Sequence, residues 1–192
     1  MTEKVINELP EVLKRHICTM KKASFDESKA VNMTESLLKV VNFDKIPNEY
    51  SRGKGWSGVP ASNDALYITE DEKWYFVEFK NGSIDKADIF RKIYDSLIML
   101  IELGIIPDFQ FIRNHLYYIL VYNSDKHSKI PKSQSRDANY AYIHRLAQKE
   151  EKLFDVEKLE QYLFKETHTY SKELFQSEFI VRMERQEQMA VV

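Results

Sequence analysis

Residues 65–82 read ALYITEDEKWYFVEFKNG, two runs of apolar and aromatic residues on either side of an acidic stretch. Aromatic and β-branched residues suit a pleated, half-buried surface, and the polar run between them is short enough for a turn. The segment therefore predicts two adjacent antiparallel strands. Its second strand, WYFVEFK, limits the fold further. At a period of two, Trp74, Phe76, Glu78 and Lys80 point to one side and Tyr75, Val77 and Phe79 to the other. A carboxylate and an ammonium thus share one face near the end of an otherwise apolar strand.

The rest of the chain supplies what covers such a hairpin. Residues 3–22 and 27–41 have apolar spacing compatible with helices, with SFDES between them offering caps and Val31, Leu37, Leu38 and Val41 on one face of the second. Residues 48–64, NEYSRGKGWSGVPASND, hold three of the five glycines and read as a long loop. After the hairpin, SIDKADIFRKIYDSLIMLIELG predicts a helix capped by Ser83 and stopped at Gly104, with Ile89, Ile93, Leu97 and Leu100 or Ile101 as its apolar stripe. HLYYILVYN, residues 115–123, predicts another strand, apolar on both faces. From about 136 to 192 the pattern is helical and broken near ETHTYSKE, where Thr169 or Ser171 caps the last helix.

That order predicts one α/β (α+β) domain over residues 1–192, a central mixed β-sheet flanked by helices. Its core spans about 27–123, with a helical C-terminal elaboration over about 133–192. With 43% hydrophobic and 12% aromatic residues, 192 residues suffice for a full core. The first seventeen residues carry acids and no apolar run of signal-peptide length, and SLIMLIELGII is short and interrupted by Glu102. The expectation is a cytoplasmic protein without membrane contact. The one cysteine, Cys18, excludes an intramolecular disulfide and any multi-cysteine metal site; in a presumed helix it is expected to be structural. The five histidines show no ligand spacing for zinc.

The net charge of −2 excludes wholesale binding of a polyanion and leaves local charge to do it. Residues 125–149 carry six basic and two acidic side chains, whereas 150–192 carry ten acidic and six basic. The first segment can follow a phosphate backbone, and the acidic C-terminal helices can meet a protein partner.

If the hairpin loop is residues 70–72, Thr69 pairs with Lys73 and Asp64 falls opposite Glu78; a loop one residue longer leaves them one step out of register. Either way the two carboxylates lie within about 4.5–8 Å, counted between Cβ atoms. The residues allow two readings. One is a cross-strand salt bridge at a strand end. The other is a pair of hard oxygen ligands for Mg²⁺ or Mn²⁺, with Lys80 beside them to orient a metal-activated water and offset charge on a phosphate.

Asp64, the hairpin, EFK at 78–80, NG and a long helix together resemble the PD-(D/E)xK nuclease superfamily, the restriction-endonuclease-like fold, over roughly residues 30–123. The resemblance implies metal-dependent hydrolysis of DNA, or after it RNA, with Asp64 and Glu78 as metal ligands, the Phe79 backbone carbonyl as a further one, and Lys80 assisting the water. It also implies a glutamate from the preceding helix, for which Glu35 is best placed and Glu27 the alternative, and a basic residue on the following helix, Lys92. Two departures stand out. Asn63 replaces the proline before Asp64, and the literal Pro107–Asp108 pair lies after the lysine, where it reads as a turn. Arg52, Lys54 and Trp56 offer charge and a stacking ring for substrate. The competing function is a non-catalytic binding module on the same fold, such as an immunity, antitoxin or regulatory partner.

Overall fold

The structure, a computed structural model, describes residues 1–124 and 149–190. The hairpin closes in the shorter of the two registers. Ala65, Leu66, Tyr67 and Ile68 pair with Val77, Phe76, Tyr75 and Trp74, and Thr69 N donates to the Lys73 carbonyl at 3.0 Å. The loop is therefore residues 70–72. Glu72 has φ 58°, the left-handed position with which a three-residue hairpin loop ends.

Around the hairpin the chain runs through α1 (Glu3–Glu8), α2 (Glu11–Lys14), β1 (Ile17–Thr19), α3 (Met20–Ala23), a small hairpin of β2 (Phe25–Asp26) and β3 (Val31–Asn32), and β4 (Lys39–Asn42). A 3-10 turn, Phe43–Lys45, leads into α4 (Ile46–Lys54). The central hairpin, β5 (Ala65–Ile68) and β6 (Trp74–Lys80), is followed by α5 (Lys86–Glu102), α6 (Phe109–His115) and β7 (Leu116–Tyr122). The second described segment holds a 3-10 helix, Val156–Gln161, then β8 (Glu166–Ser171), α7 (Lys172–Leu174), a π-helical stretch Phe175–Ile180, and α8 (Val181–Ala190). Six strands form one mixed sheet in the order β1-β4-β5-β6-β7-β8. Pairing is antiparallel from β1 to β6 and parallel from β6 through β7 to β8.

Helices cover both faces. Ile89, Ile93, Leu97 and Leu100 of α5 are buried, and each such side chain stabilises by about 1.5–3 kcal/mol relative to exposure, so packing rather than propensity holds this helix. It starts at Asp85, whose carboxylate accepts from Ala87 N, two residues past the expected Ser83. It stops at Gly104, φ 66°, where Ile105 N reaches the Leu100 carbonyl and Gly104 N the Ile101 carbonyl. That double bond pattern requires a left-handed residue, and glycine supplies it without strain. On the opposite face, Tyr67 and Tyr75 pack on Phe179 and Phe79 packs on Phe175. β7 is buried at all seven positions, as a parallel strand covered on both sides must be.

Four expectations are corrected. Residues 27–41 form no helix: the β2–β3 hairpin and β4 lie there, and of the proposed apolar face Leu37 is 70% exposed and Val31 44%. Residues 3–22 are two short helices, an edge strand and a third helix, so Cys18 sits half-buried in β1. Much of the 48–64 loop belongs to α4, which carries Pro47 in its first turn and ends at Gly55, φ 70°. ETHTYS, read as a break between helices, is strand β8, although Ser171 does cap α7 by accepting from Leu174 N. The basic 125–149 segment lies outside the described residues apart from Lys149, as does the 133–148 part of the C-terminal elaboration.

Candidate active site

The end of β5 and the end of β6 deliver the first two groups. Asp64 directly precedes β5, and its Oδ2 accepts from Phe79 N at 2.6 Å, which ties it across the hairpin to the residue between Glu78 and Lys80. Asn63 N donates to Ser96 Oγ at 3.0 Å and so anchors the approach to α5. Glu78 is 0% exposed. Lys80 lies two residues on, on the same face.

The third group comes from α5. Lys92 Nζ donates to Glu78 Oε1 at 2.7 Å and to Asp64 Oδ1 at 3.3 Å. An ammonium therefore stands between the two carboxylates. Lys80 Nζ lies 3.1 Å from the same Glu78 Oε1 and donates to Asp88 Oδ2 at 2.9 Å. Asp88 Oδ1 in turn accepts from Arg91 at 2.8 Å. Glu78 Oε2 is buried and has no hydrogen-bond partner among the described residues.

Burial sets the electrostatics. Removal from water, and then the Glu78 charge, hold the Asp64 carboxyl well above the ordinary carboxylate range, against the pull of Lys92 and the Phe79 N–H. Burial also raises Glu78, while Lys92 and Lys80 draw it back. Burial works against both ammoniums, yet the carboxylates win. Asp64 and Glu78 hold Lys92 above its ordinary value, and Glu78 with Asp88 does the same for Lys80. Tyr118, buried in β7, carries a hydroxyl raised by burial and by the same two carboxylates.

A groove of about 300 Å³ opens onto this centre, lined by Asp64, Phe79, Asp44, Asn81 and the β2–β3 hairpin. Two carboxylates and a main-chain carbonyl are hard oxygen donors of the kind Mg²⁺ takes with one or two carboxylates and several waters. The unbonded Glu78 Oε2 leaves one donor oxygen without a competing hydrogen bond. Among the described residues no group of three or more Asp, Glu, His or Cys side chains stands at ligand spacing. Asp64, Glu78 and the Phe79 carbonyl are the groups here that could hold a divalent ion.

Of the residues singled out in the sequence, Asp64, Glu78, Lys80 and Lys92 are brought together. Glu35 is not. It lies outside any helix, is exposed, pairs with Lys21 at 2.5 Å and does not line the groove around Asp64; Glu27 does. Arg52, Lys54 and Trp56 are also placed elsewhere. Lys54 pairs with Glu102 at 2.7 Å, and Trp56 packs edge-on against Tyr50. Glu102 is ten residues past Lys92 on α5, about 15 Å along the helix, so these residues do not flank the site. Two participants went unread. Asp88 was discoverable, because it stands four residues before Lys92 on the same helical face. Asp44, exposed on the groove wall with its Oδ1 accepting from Ser62 Oγ at 2.9 Å, carries no local signal at all.

Comparison with known families, curated proteins and solved structures gives no match to this chain.

Proposed function

We propose that the protein is a metal-dependent nuclease with a restriction-endonuclease-like core, hydrolysing phosphodiester bonds of DNA or, second to it, RNA. The observation that supports this reading is the clustering of Asp64, Glu78 and Lys80 through Phe79 N and Lys92 beside a groove that Asp64 lines, with Glu78 Oε2 buried and without a hydrogen-bond partner among the described residues. A bound Mg²⁺ or Mn²⁺ would supply an activated water and neutralise charge on the phosphate. Asp64 and Glu78 would hold the ion, whose charge would favour the ionised form of the raised Asp64 carboxyl. Lys80 is fixed by Glu78 and Asp88, so its ammonium is already oriented when negative charge develops on the phosphate oxygens. Lys92 offsets the charge of the two carboxylates, a role that a bound ion would share.

Plasmid, single-stranded DNA and RNA incubated with Mn²⁺ provide the test. Lys80→Met keeps the stem packed and removes the charge, so it is expected to lower hydrolysis on the order of 10²–10³-fold while melting cooperatively. An unchanged rate removes Lys80 from the mechanism.

A non-catalytic binding module on the same fold is the second reading, and Lys92 is what favours it. Its ammonium already does what a metal would do for the two carboxylates, and Lys80, Asp88 and Arg91 close the network. Absence of cleavage with all three substrates, together with no response to divalent ions, would decide for the module.

A further inference from the structure

The groove over Asp64 does not end there. A second cavity of about 440 Å³, lined by Lys22, Lys45 and Asn42, shares Ala23, Phe25, Glu27 and Asp44 with the first. The two cavities adjoin along these four residues and together make a trough. Asp26 and Asp64 line the inner half alone, Lys22 and Lys45 the outer half alone, and Glu27 and Asp44 line both; Lys22 and Lys45 make no ion pair among the described residues, and Lys21 beside them is taken by Glu35. Phe25 lies on the stretch common to both halves and is 47% exposed. Its position is fixed. Met33 N bonds the Ser24 carbonyl at 3.1 Å, Phe25 pairs with Asn32, and Asp26 accepts from Asn81 Nδ2 at 2.9 Å, just past Lys80.

We infer that this trough takes a single strand of nucleic acid in preference to a duplex, with Lys22 and Lys45 on its phosphates and Phe25 stacked on a base. The inference takes the Asp64–Glu78 centre as the reacting end of the trough and so rests on the function proposed above. An exposed ring flanked by free cations is how non-sequence-specific single-strand sites are built, since every base offers a face and every nucleotide a phosphate. The exposed ring is what favours the single strand. A base can stack on Phe25 only if it is unpaired, and a flexible strand can bend so that a phosphate reaches Asp64, whose side chain is 13% exposed, while a duplex keeps its bases paired and offers the ring none. Asp26 and Asp64 make the inner end acidic, where a bound divalent cation would offset their charge toward a phosphate, while Lys22 and Lys45 would meet phosphates directly.

The test is fluorescence anisotropy in Ca²⁺, with labelled oligothymidylate and oligouridylate of about 16 nucleotides, the upper end of known site sizes, each alone and paired with its complement. Binding of either strand at least about tenfold tighter than its duplex is expected. Phe25→Ala should weaken it by about tenfold or more. Lys22→Ala with Lys45→Ala should reduce the slope of log affinity against log salt by about 1.4, two single-strand phosphate contacts. All three side chains are solvent-exposed, so unchanged melting temperatures confirm intact folding. Equal or tighter duplex binding, no binding of any oligonucleotide, or variants that bind like the wild type would overturn the inference. The same oligonucleotides are then incubated with Mn²⁺. Single-strand binding without cleavage leaves the trough assignment standing and removes the nuclease reading instead.

Discussion

Two lysine–carboxylate contacts on α5 have the same length and opposite consequences. Lys92 meets Glu78 at 2.7 Å with 20% and 0% of the two side chains exposed, and Lys54 meets Glu102 at 2.7 Å with 42% and 43% exposed. In water the second pair exchanges one set of hydrogen bonds for another and contributes little. In the interior the first pair cannot be separated without leaving a charge where none is solvated. Distance alone says nothing about an ion pair's role; the medium around it does. The same medium makes Asp64 and Glu78 reluctant anions, so the buried cluster favours any cation that can reach it.

Removing each ammonium in turn should expose the contrast most strongly. Lys92→Met retains the apolar stem and leaves two carboxylates facing each other, a loss of about 3–5 kcal/mol for one broken buried pair, or a fall in melting temperature on the order of 6–20 °C at about pH 8. The carboxyl pKa values in this variant lie above their unfolded values, so their share of stability is present in acid and lost as pH rises through the folded values. The deficit should therefore shrink toward about pH 4. A deficit that does not depend on pH would mean that Lys92 acts by packing alone.

Asp64→Asn sharpens the same point from the other side. The raised Asp64 carboxyl binds more protons folded than unfolded. Its contribution is complete below the unfolded value, near about pH 4, and is lost as pH rises through the folded one. The variant escapes that loss. In chelator, calorimetry is expected to find it melting at or above the wild type at about pH 8, with the advantage fading toward about pH 4. Melting below the wild type throughout would make Asp64 an anchor for Lys92 and Phe79 N rather than a strained ligand. The smallest effect belongs to Lys54→Ala, which should melt close to the wild type because its ion pair is open to water; a loss comparable to that of Lys92→Met would erase the distinction between the two regions.

Legibility in the sequence divides along the same line. The β5–β6 pairing could be read to within one residue because a period of two and a short acidic turn leave two registers, both of which bring Asp64 near Glu78; the structure takes the shorter. The α5 stripe could be read because four apolar residues recur at helical spacing and a glycine ends them. β4 has four residues, and β2 and β3 two each; elements so short show no period, so residues 27–41 passed for a helix and Glu35 for a helical ligand. β8 alternates threonines with charged and ring side chains and buries Thr167 and Thr169, a strand whose inward face is polar. Lys92 was found as a basic residue on the right helix. That its ammonium sits between the two carboxylates depends on the height at which α5 packs on the sheet, which local sequence does not encode, and the same holds for Asp44.

On the function proposed above, Asp64 and Glu78 are a cation site and not merely an internal ion pair. Melting temperatures with and without Mn²⁺ test it without any substrate. At about ten times its dissociation constant the ion should stabilise the wild type by about 1.4 kcal/mol, a rise of about 3–6 °C for a chain of this size, and Asp64→Asn should lose most of that rise. An equal response of wild type and variant, or none in either, would contradict the account.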